Sequence, residues 1–190
     1  PSPTLGLAHL IAPALQMRVE TSWRHEDAML HALLEASKAA LRSGSAFALD
    51  PAVLETKPES ALEPKILEAQ AAHIAKDRAK PLSFAPDLPQ ALSIAASDDK
   101  GYVVIASISM GDAFGAGFVL NRTGLLLNNA ARFFSLDPRA PHTLHPKRKV
   151  PFAPSPIMAV HDEGRVLALS SGCVDVDAQI FGRIHAGQGL

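Results

Sequence analysis

A chain of 190 residues can bury one sizeable core, and with 47 % apolar and 19 % charged residues it reads as a globular domain rather than a disordered or fibrous one. A net charge of −1 gives no electrostatic grip on nucleic acid or on an anionic membrane surface, and no run approaches the length of a membrane-crossing helix. The single cysteine, Cys173, leaves no partner for an internal disulfide and no cysteine-built zinc site, and the eight histidines lack helical metal spacing, so no metal or cofactor is expected.

The first half reads as helix. "PSPTLGLAHLIAPAL" is an apolar segment that Pro13 is expected to bend. "SWRHEDAMLHALLEASKAAL" is the clearest helix, with Ser22 as N-cap and Glu26 and Asp27 in its early turns. Met29, Leu33, Ala36 and Ala40 share one face, and the helix is expected to fade where Gly44 and Pro51 punctuate the chain. "ALEPKILEAQAAHIAKDRAK" predicts another helix with Ile66, Ala69, His73 and Ile74 near one stripe, and the proline-rich "AKPLSFAPDLPQ" predicts a linker.

Past Pro89 the period changes to two. Tyr102, Val104, Ala106, Ile108 and Met110 fall on one apolar face of a strand, and Val103, Ile105, Ser107 and Ser109 on the other. "GFVL", "GLLLNN", "PIMAVH" and "RVLALSS" predict further short strands joined by turns. "VDVDAQIFGRIHAGQGL" predicts an amphipathic helix with Val176, Ile180 and Ile184 four apart and Gly187 near its end. The basic run Lys147-Arg148-Lys149 reads as a solvated loop or a local carboxylate anchor. The expected fold is α+β, a helical segment over residues 1–85 and a mostly antiparallel sheet plus helix over 86–190, together one structural domain.

"DDKGYVVIASISMGDAFGAGFVLNRTGLLLNN" resembles the start of the small subunit of the γ-glutamyltransferases (γ-glutamyltranspeptidases), which are N-terminal-nucleophile hydrolases. The matching pieces are Phe114-Gly115-Ala116-Gly117, Thr123-Gly124-Leu125-Leu126-Leu127-Asn128-Asn129, Pro146-Lys147-Arg148 and Ser155-Pro156. Upstream, "PSPTLG" and "EDAMLHALLEASKAAL" with the later Asp50-Pro51 resemble the end of the family's large subunit. The resemblance implies part of a layered α/β sandwich. It also implies an acyl-transfer chemistry in which a threonine, freed by self-cleavage, attacks a γ-glutamyl carbonyl with its own amine as base.

Set against the family motif T-T-H-x-S-V-V-D-x-x-G, ungapped counting from Asp98 and Gly101 places Ala91, Leu92 and Ser93 at Thr, Thr and His. Ala91 has no nucleophile, and Ser93, two residues on and therefore on the same strand face, is the nearest hydroxyl and the candidate catalytic residue. The resemblance further matches Gly111 to a substrate-holding asparagine, Phe133 to an acid that grips the substrate's amino group, and Phe152 and Ala153 to paired carboxylate-holding serines. Ser171-Gly172 stand near the oxyanion-hole glycines, and Ser107 and Ser109 keep hydroxyls where relatives carry threonines, so Ser109, Ser171 and Gly172 are the candidate oxyanion and substrate-binding residues.

The expectation is a γ-glutamyltransferase-like protein that has lost self-processing and transfer. One alternative is an active amidohydrolase of altered acyl specificity working through Ser93 on a γ-glutamyl or other acyl-amide small molecule. Another is a non-catalytic assembly or binding subunit. An uncovered sheet face would be a large apolar patch, so a homo-oligomer or a complementary chain is expected, with no nucleic-acid or membrane partner. Family members are often exported; no signal peptide is visible here and the chain opens on Pro1, so the compartment stays open.

Overall fold

The computed structural model describes residues 3–19, 25–81, 91–152, 156–171 and 174–185. Four helices, α1 (Gly6–Gln16), α2 (Glu26–Ser45), α3 (Pro64–Ala72) and α4 (Val174–His185), accompany four strands, β1 (Leu92–Ser97), β2 (Val103–Ile108), β3 (Ile157–Val160) and β4 (Val166–Leu169). The fold is a mixed α+β one, helices first. β1 pairs antiparallel with β2 and β3 with β4, and β2 lies beside β4.

The core is helical. Met29, Leu33, Ala36 and Ala40, the face expected of α2, are all buried to within 1 %, and Ala36 and Ala40 pack in one cluster with Ile11, Ala12 and Leu15 of α1. Each fully buried Leu, Ile or Met here contributes about 1.5–3 kcal/mol by leaving water. α2 ends at Ser45, one residue past Gly44 and within the stretch where it is expected to fade. A Cβ on Gly44 would stand 2.7 Å from the Cβ and backbone nitrogen of Ala8, so the glycine is also a notch that lets α1 lie close. At its other end α2 starts with His25 in the cap position, without a side-chain cap; Ser22 lies outside the described residues. α1 carries Pro13 within it and remains one continuous helix.

α3 is rotated from the expected stripe. Leu67 is buried, with Ala71 and Ile74 packed on the same cluster, whereas Ile66 is 41 % exposed. The segment after α3 is tied to α2 by polar contacts: His31 Nε2 meets Ala75 O at 2.7 Å, and Lys38 Nζ donates to Lys80 O at 2.6 Å. Most of the proline-rich linker, residues 82–90, lies outside the described residues, as does Gly187.

The expected strands "GFVL" and "GLLLNN" pair over less ground than a regular ladder. Only Val119 and Leu126 form a bridge, flanked by Leu120 N–H to Leu125 O at 2.8 Å and Leu127 N–H to Phe118 O at 2.9 Å. Gly115 explains the interruption: its φ is +52° and an added Cβ would overlap Leu127 O, so two backbones touch there. On α4, Val176 is 39 % exposed while Asp177 is 2 % exposed, one position round from the expected apolar stripe. Gly182 is the cause, because any side chain there would overlap Leu33, so α4 seats its glycine face on α1 and α2 and carries Asp177 inward.

The sheet is apolar on its open side. Leu92, Ile94, Val104 and Ile108 are each more than half exposed, while on the other face Ser93 of β1 and Val103, Ile105 and Ser107 of β2 are half-buried. The basic run serves as a carboxylate anchor: Lys149 N–H donates to Asp50 Oδ2 at 2.6 Å, and Asp50 Oδ1 accepts from Ala52 N–H at 2.8 Å. These two backbone donors, then the charges of Arg148 and Lys149, hold the Asp50 carboxyl below its ordinary value.

Candidate functional site

The site is set by a four-residue turn. Asp98 Oδ1 accepts from Lys100 N–H at 3.0 Å and from Tyr102 N–H at 2.9 Å, closing "DDKG" tightly enough to fix the β1–β2 register at Ser97 opposite Val103. Counting back along that ladder, Ser93 falls opposite Ser107. Their hydroxyls meet at 3.0 Å. β4 ends beside β2, and the next residue, Ser170, reaches both: 2.7 Å to Ser93 Oγ and 3.1 Å to Ser107 Oγ. Three half-buried hydroxyls thus form a closed triangle, each able to donate to one neighbour and accept from another.

The other candidates flank it. Ala91 directly precedes β1 and presents only a methyl group. Ser109, just past β2, accepts from Gly111 N–H at 3.1 Å and shapes the turn. Gly111 has φ +83°, and a Cβ there would overlap Asn129 Oδ1. The amide of Asn129 fills that space: Oδ1 accepts from Asp112 N–H at 2.9 Å, Nδ2 donates to the Asp112 carboxylate, and its backbone N–H binds Met110 O at 3.0 Å. Asn128 turns the other way, onto Ala130 N–H at 3.0 Å. The paired asparagines therefore lock the strand's exit to the Gly111 turn.

Phe133 lies under the Arg132 guanidinium, 4.4 Å from ring centroid to Cζ, and Arg132 Nη2 is 2.9 Å from Asp112 Oδ1. A cation with its own carboxylate occupies the neighbourhood where the resemblance implies an anion. Phe152 N–H donates to Pro3 O at 3.0 Å, tying its loop to the start of the chain; Ala153, Ser155 and Gly172 lie outside the described residues.

Ser171 N–H donates to the Asp177 carboxylate, whose other oxygen is 3.8 Å from His9 Nε2. Both side chains are buried, Asp177 to 2 % and His9 to 4 % exposure. His9 also lines a cleft of about 700 Å³ with Leu7, Phe47, Leu54, Leu62 and Met158, which is separate from the hydroxyl triangle. Sequence reasoning missed Ser170 and the His9–Asp177 pair. Ser170 was visible as a second hydroxyl at the end of an apolar strand, and Asp177 as a carboxylate between Val176 and Ile180; the pairing with His9 spans the whole chain and leaves no local trace. Among the described residues no cluster of His, Cys, Asp and Glu could hold a metal ion, and no helix is long and apolar enough to cross a membrane.

Helices leading into antiparallel hairpins make a mixed α+β architecture whose N-terminal-nucleophile hydrolase type follows from its likeness to a solved acylase. The architecture is similar to the solved cephalosporin acylase from Bacillus halodurans, with a TM-score of 0.61 at 21 % identity over 80 % of this chain and 28 % of that one. The chain belongs to the gamma-glutamyltranspeptidase family, whose sequence profile matches residues 1–173. It is also 28 % identical over 169 residues to the oxamate amidohydrolase proenzyme of Klebsiella pneumoniae, covering 89 % of this chain and 32 % of that protein. It thus spans about a third of the length of that relative.

Proposed function

We propose that this chain is a γ-glutamyltranspeptidase-like scaffold that has lost self-processing and γ-glutamyl transfer. The observation that carries it is the chemistry at the head of β1. Ala91 stands where the resemblance puts the nucleophile, and the nearest hydroxyl, Ser93, is engaged with Ser107 and Ser170 rather than with an amine, imidazole or carboxylate. A serine hydroxyl is a weak nucleophile until a base takes its proton. Gly111 and Phe133 lack the groups that the resemblance implies would hold a charged amino acid; Asn129 fills the space beside Gly111, and Arg132 stacks on the Phe133 ring. The test is hydrolysis of γ-glutamyl-p-nitroanilide by the pure protein with its intact mass. An uncut chain without turnover is expected; turnover abolished by Ser93→Ala would refute the reading.

A second reading is favoured by the amide-cleaving names of the relatives: an amidohydrolase of altered acyl specificity using Ser93. It requires a backbone break before Ser93, visible as two masses. In either case the open apolar face of Leu92, Ile94, Val104 and Ile108 supports a covering partner, a second copy or a complementary chain, and sedimentation as a clean monomer would count against one.

A further inference from the structure

We propose that Ser93, Ser107 and Ser170 form a binding site for one oxygen of a small carboxylate. This rests on the reading above in one respect: Ser93 binds rather than attacks. The three Oγ atoms make a triangle with sides of 2.7, 3.0 and 3.1 Å. A guest oxygen at about 2.7 Å from each, the usual O–H···O separation, sits about 2.1 Å above their plane, so a single atom takes all three donors. The hydroxyl protons reach it by rotation about Cβ–Oγ.

The guest's charge follows from what the hydroxyls give up. Empty, the triangle satisfies its three donors internally. A neutral carbonyl exchanges three neutral hydrogen bonds for three of the same kind and gains little. An anionic oxygen exchanges them for charge-assisted bonds, roughly twice as strong, so the site discriminates a carboxylate from its amide. The positions differ from Phe152 and Ala153, where the resemblance places carboxylate-holding serines, so the site is one of this chain's own making.

Two hairpins and a helix hold the geometry. Ser93 and Ser107 are fixed by the β1–β2 register. Ser170 is fixed from behind, because the N–H of the next residue is gripped by Asp177 of α4. Asp177 is therefore a positioning residue. Its carboxylate faces Ser171 N–H and His9.

The experiment is an amide-resolved NMR titration of the full chain with sodium acetate, at constant pH and ionic strength, and in parallel with acetamide. Saturating shifts at Ser93, Ser107 and Ser171 with a millimolar midpoint are expected for acetate and not for acetamide. Ser170→Ala should weaken acetate about tenfold or more, and Ser170→Thr, which keeps the hydroxyl, should restore it. Shifts that rise linearly without saturation, acetamide matching acetate, or an unchanged midpoint in Ser170→Ala would each overturn the proposal. The acetate–acetamide comparison on the unaltered protein decides even where a variant misfolds. Chain scission before Ser93 is scored separately by mass, so this proposal and the loss of catalysis fail independently.

Discussion

Placing at Gly111 the asparagine that the resemblance implies there separates a site that lacks one side chain from a site built around its absence. Gly111 has φ +83°, and a Cβ there would overlap Asn129 Oδ1 and stand 3.1 Å from Asn129 Cγ. Gly111→Asn therefore carries two costs. Left-handed backbone for a non-glycine residue costs roughly 1–2 kcal/mol, with asparagine at the low end. Displacing Asn129 breaks its bonds to the Asp112 N–H and carboxylate, at about 0.5–1.5 kcal/mol for a neutral bond and more for the charged one. The sum is about 3–5 kcal/mol, or roughly 6–20 °C in melting temperature for a domain of this size. Gly117→Asn is the control: its φ is +64°, but no atom lies within 4 Å of the added Cβ, so it pays only the backbone strain. Thermal and urea unfolding of both variants gives the difference. Gly111→Asn as stable as Gly117→Asn would show that Asn129 does not fill the site, and the account of the lost substrate asparagine would fall with it.

Gly44→Ala pits two effects against each other: helix propensity gains about 1 kcal/mol, while forcing a methyl group to 2.7 Å from Ala8 backbone costs about 1–3 kcal/mol or more. Net destabilisation is expected in urea unfolding, and a stabilised variant would refute the notch. Asp50 supplies a pH test. Its folded carboxyl titrates below the ordinary 3.8, so the stability it adds is fully present above that value and is lost as the pH falls through the depressed one. Stability of the parent chain should therefore fall more steeply below about pH 4 than that of Asp50→Asn; equal acid profiles would remove Asp50 as the anchor of the basic loop.

What could be read from sequence divides by the range of the forces involved. The buried face of α2 follows from periodicity, because four apolar residues at helical spacing have one way to leave water. The β1–β2 register follows from the Asp98 turn, and with it the pairing of Ser93 with Ser107, although the pairing was not anticipated. α3 and α4 were each misjudged by one position. Their faces are chosen by tertiary contact: Leu67 fits the α1 cluster better than Ile66, and Gly182 sits where Leu33 leaves no space for a side chain. Gly44 lies at the end of α2 as its propensity implies, but its second role as a notch for α1 is set by a tertiary contact on which propensity is silent.

The same division governs the site. A motif comparison reports which side chains are missing, and at Ala91, Gly111 and Phe133 it reports losses. It does not report what the neighbours do with the space. At Gly111 the space is taken by Asn129, over the Phe133 ring lies Arg132 held on Asp112, and beyond Ala91 stands a hydroxyl triangle whose third corner, Ser170, is 77 residues from Ser93 in sequence. Each replacement satisfies its own hydrogen bonds or charge, and a half-lost active site would leave such groups unpaired at about 1–3 kcal/mol apiece. Paired replacements lower the cost of keeping the scaffold, and they raise the cost of reverting any one position alone. On the proposed reading, a nucleophile returned at position 91 alone should not restore γ-glutamyl transfer, because Asn129 and Arg132 are each already committed to Asp112.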